Sequence, residues 1–62
     1  MASYKFQIGQ TVLLSPSLGV PGGACIVKRK LPERDSEFEY RVQSANEPHE
    51  RVVRESELSD VP

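Results

Sequence analysis

The chain has 62 residues, with eight lysines and arginines against nine aspartates and glutamates, for a formal net charge of −1. That length makes one domain at most, and a domain so small buries only about 60% of the surface its unfolded chain exposes. The near-neutral balance argues against a strongly basic nucleic-acid binder, and one cysteine with one histidine excludes both a disulfide framework and a four-ligand structural zinc site.

In chain order, residues 1–5 read as a short polar lead-in. In FQIGQTVLL, Phe6 and Ile8 alternate, Gly9 interrupts, and Val12 and Leu14 alternate again. The pattern predicts a turn or bulge at Gly9 feeding a strand at about 10–15. Pro16 and Ser17 end that strand, because proline cannot donate to a ladder. PSLGVPGG at 16–23 holds two of the five prolines and three of the four glycines, which makes it a loop. It is either a wide connection between strands or a ligand-facing segment. ACIVKRK predicts a strand at about 24–30, stopped by Pro32, with ERDSE as a polar turn. FEYRVQS carries the clearest period of two in the chain. Phe38, Tyr40 and Val42 fall on one face, and Glu39, Arg41 and Gln43 on the other. ANEPH is the next turn.

EPHERVVRESEL, residues 47–58, is open to two readings. As a helix it has Asn46 as a cap and Pro48 in its first turn. At about 100° per residue, however, Val52, Val53 and Leu58 fall near roughly 0°, 100° and 240°, which makes no apolar stripe. The preferred reading is a short β-branched strand at 51–54, followed by a tight turn ESEL that drops Leu58 into the core, with a short tail at 59–62. About five short antiparallel strands joined by turns predict an all-β fold, and at this length a small SH3-like barrel, whose closure protects sheet edges.

FQIGQTV resembles the opening of small SH3-like barrels of the KOW and Tudor type, and YRVQS followed by RVVRESEL resembles their closing hairpin. The whole chain resembles a group of short alphaproteobacterial proteins that carry no assigned activity. The matching stretches are YKFQIGQTV, KRKLP and YRVQSANEPHERVVRESEL. The chain departs from that group at Cys25, where an aromatic is expected. The resemblance implies the barrel fold and a binding role toward peptides, RNA or larger assemblies.

Catalytic and metal readings lack partners. His49 stands beside Glu47 and Glu50 with no second histidine, so it reads as a solvated turn residue. Cys25 lies inside an apolar strand and reads as a small buried hydrophobe. The serines have no nucleophile-elbow context, and GVPGG is not a phosphate loop. The chain is therefore expected to be non-enzymatic, without cofactor or metal. With no long apolar run it is also expected to be without a membrane segment, and cytoplasmic.

The basic residues carry the remaining signal. Alternation sends Lys28 and Lys30 to one face and Arg29 to the other, while Arg41, Arg51 and Arg54 lie on neighbouring strands. With Tyr4 or Tyr40 they would make a stacking and phosphate surface of the kind single-stranded nucleic acid prefers. With Glu37, Glu39, Glu50, Glu55 and Glu57 interleaved, they would instead form a solvated ion-pair face. The expected contact residues are Tyr4, Arg29, Tyr40, Arg41, Arg51 and Arg54, together with the loop at 18–23. The expected partner is a protein or ribonucleoprotein, with RNA or single-stranded DNA as the alternative.

Overall fold

The computed structural model describes residues 3–16 and 22–61. The described residues contain five strands: β1 (Thr11–Leu14), β2 (Gly23–Arg34), β3 (Glu37–Ser44), β4 (Arg51–Arg54) and β5 (Leu58–Asp60). All pair antiparallel in one open sheet of order β4-β3-β2-β1-β5. A three-residue 3-10 turn, Glu55–Glu57, joins the two edge strands β4 and β5.

β1 forms where its pattern predicts, with Val12 and Leu14 buried. Gly9 makes the turn before it at φ 89°, a conformation that costs glycine little. Its amide donates to the Val27 carbonyl at 2.7 Å, and the Val27 amide donates to the Gln10 carbonyl at 2.9 Å. The turn is thereby fastened onto β2. At the far end of β1, a Cβ on Gly22 would come within 2.6 Å of the Leu14 carbonyl oxygen. Close packing is what requires a glycine there.

β2 does not stop at Pro32, as the proline predicts, but runs on to Arg34. Pro32 lies inside a register irregularity between Leu31 and Arg34. A bulge is one of the few places where a strand tolerates a residue without an amide donor. The connection to β3 then shrinks to two residues, Asp35 and Ser36, with φ 54° and 66°. Two consecutive positive φ values mark the tight hairpin turn whose twist matches that of the flanking strands.

β3 follows its period of two: Tyr40 and Val42 are buried, Phe38 packs against the core, and Arg41 is exposed. The 47–58 stretch is the predicted strand and turn, with Val53 and Leu58 buried. Of the residues expected as a tail, Ser59 and Asp60 continue from Leu58 as β5, pairing Leu14 with Leu58, Leu13 with Ser59 and Val12 with Asp60. Leu58 anchors this pairing. Burying a leucine is worth about 1.5–3 kcal/mol, and once it is seated the next two residues lie along the free side of β1.

The core consists of Phe6, Val12, Leu14, Cys25, Val27, Tyr40, Val42, Val53 and Leu58. The lead-in is also part of it. Tyr4 stacks on Phe38 at 4.2 Å between ring centroids, and its hydroxyl donates to the Leu31 carbonyl at 2.7 Å.

Candidate functional site

Strand register sorts the basic side chains onto two faces. Residues directly opposed on neighbouring strands share a face. Arg29 opposes Arg41, and Arg41 opposes Val52. Leu31 opposes Glu39, which opposes Arg54, and Ile26 opposes Gln43. These residues make the outer face, away from Tyr40, Val42 and Val53. Arg51 is not among them. It opposes buried Val42, because Arg51 and Arg54 are three residues apart and a strand alternates faces at every step. The expected Arg41/Arg51/Arg54 surface is thus split, and Arg29 takes the place of Arg51.

Alternation also fails for the lysines. A register shift between Val27 and Arg29 leaves Lys28 unopposed, so Lys28 and Lys30 part company. Lys30 lies across from Tyr40, with its ammonium 5.3 Å from the centre of the Tyr4 ring and 2.9 Å from Gln7 Oε1. Lys28 borders a cleft on the outer face.

The two tyrosines do not form a stacking platform. Tyr40 is fully buried. Its hydroxyl accepts from the amides of Lys5 (3.1 Å) and Phe6 (3.3 Å) and donates to the Glu55 carboxylate. The Lys5 amide also donates to Glu55 at 2.9 Å. Burial first, and then the bond to Glu55, pushes the phenol up to about 12, so it stays neutral at ordinary pH. Tyr4 is half-buried, with its ring against Phe38 and its hydroxyl engaged. Tyr40 is thus wholly, and Tyr4 partly, taken up by the fold.

Three arginines are matched by carboxylates. Arg51 grips Glu47 with two hydrogen bonds, from Nε at 2.8 Å and from Nη2 at 2.5 Å. Those bonds hold the Glu47 carboxyl below its usual range. Arg54 lies 3.9 Å from Glu37, and Arg41 lies 3.8 Å from Glu50. Among the described residues, no carboxylate stands within ion-pair distance of Lys28 or Arg29.

Around these two cations the outer face is partly apolar. Arg29, Leu31, Arg41 and Glu50 line one shallow depression. Beside it a cleft of about 270 Å³ is lined by Thr11, Ala24, Cys25, Ile26, Lys28, Gln43, Ser44, Ala45 and Glu47. Ile26 and Val52 are 37% and 51% exposed on this face. The sequence carried a signal for both. In runs of consecutive β-branched and apolar residues, such as CIV and VV, only alternate members can reach the core.

His49 is exposed, with Nε2 3.8 Å from Glu47. The Cys25 thiol is buried, and burial foremost pushes it up, which disfavours the reactive thiolate. Among the described residues, no group of three or more His, Cys, Asp or Glu side chains could hold a metal ion. None of their helices is long and apolar enough to cross a membrane. Of the glycine-rich segment at 18–23, residues 18–21 lie outside the described residues. Compared with protein families, curated proteins and solved structures, the chain matches none.

Proposed function

We propose that this chain is a non-enzymatic docking module for a protein partner, built as a small SH3-like barrel and using the outer face of β2, β3 and β4. The barrel reading is supported by the short link between the sheet's two edges. β4 and β5 are separated by only the three residues Glu55–Glu57, and a three-residue connection pulls the outermost strands of a five-stranded sheet toward each other. The Tyr40–Glu55 bond draws that turn against the middle of the sheet.

The docking reading rests on one observation: Arg29 directly opposes Arg41 on a solvent-facing surface. Like charges directly opposite across a ladder destabilise it. Glu50 offsets Arg41 alone. A local rule broken with only partial compensation is expected at functional or strained sites. Exposed Ile26 and Val52 beside the pair give the surface the mixed apolar and cationic character of a protein contact. An RNA-binding role of the KOW type draws on the same cations. Stacking aromatics would support it, and Tyr4 and Tyr40 are packed into the fold.

The test is capture from a nuclease-treated lysate of the source cell by the chain and by its Arg29→Glu/Arg41→Glu variant, followed by direct titration of each recovered, purified protein. A protein that binds the chain directly and binds the variant at least about tenfold more weakly, the scale of one lost buried ion-pair contact, supports the proposal. Direct binding of equal strength to both, or binding that requires RNA, refutes it.

A further inference from the structure

Resting on that docking reading, we infer that the face recognises one class of partner segment: an extended acidic stretch in which an apolar residue stands two positions from a carboxylate. The recognition elements are arranged in two successive rungs of the sheet. One rung is Ile26 opposite Gln43, beside the cleft that Ala24 and Ala45 also wall. The next outward-facing rung is Arg29 opposite Arg41. Along β3 these rungs are two residues apart, at Gln43 and Arg41, which is about 7 Å in an antiparallel strand. Side chains i and i+2 of an extended peptide face the same way with the same spacing. A partner strand lying along β3 therefore sets one side chain over the cleft and the second following side chain over the arginines.

Charge decides which side chains those are. The cleft is lined mainly by methyl and methylene groups, so it takes an apolar residue. The cations there are Lys28, part of its lining, and Arg29 beside it, neither ion-paired among the described residues. A carboxylate arriving between Arg29 and Arg41 relieves the repulsion of the pair and gains the planar, two-pronged geometry arginine offers. Acidic side chains stand nearby: Glu39 is the next outward residue along β3, across from Leu31 and Arg54, and Glu50 lines the depression with Arg29 and Arg41. Glu47 is held by Arg51 with two hydrogen bonds, and Glu50 approaches only Arg41, at 3.8 Å.

The experiment is a ¹⁵N–¹H NMR titration of the chain with short blocked peptides of serine and threonine. One carries a leucine and, two positions on, an aspartate. A second places the aspartate next to the leucine, a third replaces the aspartate with lysine, and an oligouridine serves as the nucleic-acid probe. The first peptide is expected to shift the amides of Ile26, Lys28, Arg29, Arg41 and Gln43. The second is expected to bind about threefold more weakly, the scale of one exposed ion pair, and the third to leave those amides unmoved. Equal binding of the first two peptides, or no shift from either while a captured protein still depends on Arg29 and Arg41, overturns the spacing rule and leaves docking intact. Shifts caused only by the oligouridine overturn both readings. Shifts of the same amides on raising the concentration of the chain alone would assign the face to a second copy and overturn the inference.

Discussion

The hydroxyl of Tyr40, in the middle of β3, donates to the carboxylate of Glu55, in the turn between the sheet's two edge strands. The same oxygen accepts the amides of Lys5 and Phe6. One side chain thus ties the N-terminal segment, the central sheet and the closing turn together. Its hydroxyl satisfies groups that the core would otherwise strand.

Tyr40→Phe keeps the ring and removes that oxygen. The amide of fully buried Phe6 then has no acceptor there, at a cost of about 1–3 kcal/mol. Urea unfolding at neutral pH should show a lower midpoint, and an unchanged midpoint would contradict the role assigned here. The variant should also differ from the parent at high pH. The folded phenol lies at about 12, above its ordinary 10.0, so the folded state holds its proton more tightly than the unfolded state. The associated stability is complete below pH 10 and is lost as pH rises toward 12. The melting temperature of the parent should fall more steeply across that window than that of Tyr40→Phe.

At the acid end the signs reverse. Hydrogen bonds from Ser56 lower the Glu37 carboxyl, and hydrogen bonds from Arg51 lower Glu47, each from its usual 4.5. A depressed carboxyl contributes stability above the unfolded value and loses it as pH falls through the folded one. Thermal melts from pH 6 downward should therefore show stability declining below about 4.5. Glu47→Gln should start lower at neutral pH and decline less steeply. A parallel decline in the two proteins would rule Glu47 out as a contributor.

Arg29→Glu should separate stability from binding. It turns the Arg29–Arg41 opposition into a cross-strand ion pair, worth roughly 0.2–1 kcal/mol relative to neutral neighbours. The variant is expected to melt at or above the parent temperature while losing partner binding. A destabilised variant would mean that Arg29 makes a contact the fold needs.

The hairpin turn offers a gain. Ser36 sits at φ 66°, where an L side chain is strained by roughly 1 kcal/mol or more and where the second turn position favours glycine. Ser36→Gly should raise stability by a few tenths to about 1 kcal/mol, measured by urea unfolding. A loss would show that the serine side chain supports the turn.

Local chemistry in the sequence is enough to place much of this fold. Alternation in TVLL and FEYRVQS predicts strands that form at Thr11–Leu14 and Glu37–Ser44. The absence of an apolar stripe in EPHERVVRESEL correctly turns a charged segment into β4 and a tight turn. These features depend on neighbours within a few residues, and periodicity records them directly.

Tertiary structure decided the rest. Pro32 reads as a stop, but a bulge across from β3 absorbs it and β2 continues. Ser59 and Asp60 have no strand signal of their own and become β5 because β1 has a free side. Tyr40 alternates with Phe38 and Val42 and so reads first as core, with a ligand contact as the second reading. Only the arrival of Lys5, Phe6 and Glu55, from 35, 34 and 15 residues away, makes its hydroxyl a structural junction. Arg51 and Arg54 look like a pair beside two valines, yet alternation sends them to opposite faces. It is register with β3 that sets Arg41 and Arg54 on the outer surface, and pairing with β2 that adds Arg29. Composition and pattern determine which segments become strands, because that choice is local. Which side chains share a surface depends on bulges and inter-strand register, which are set only when distant segments pair.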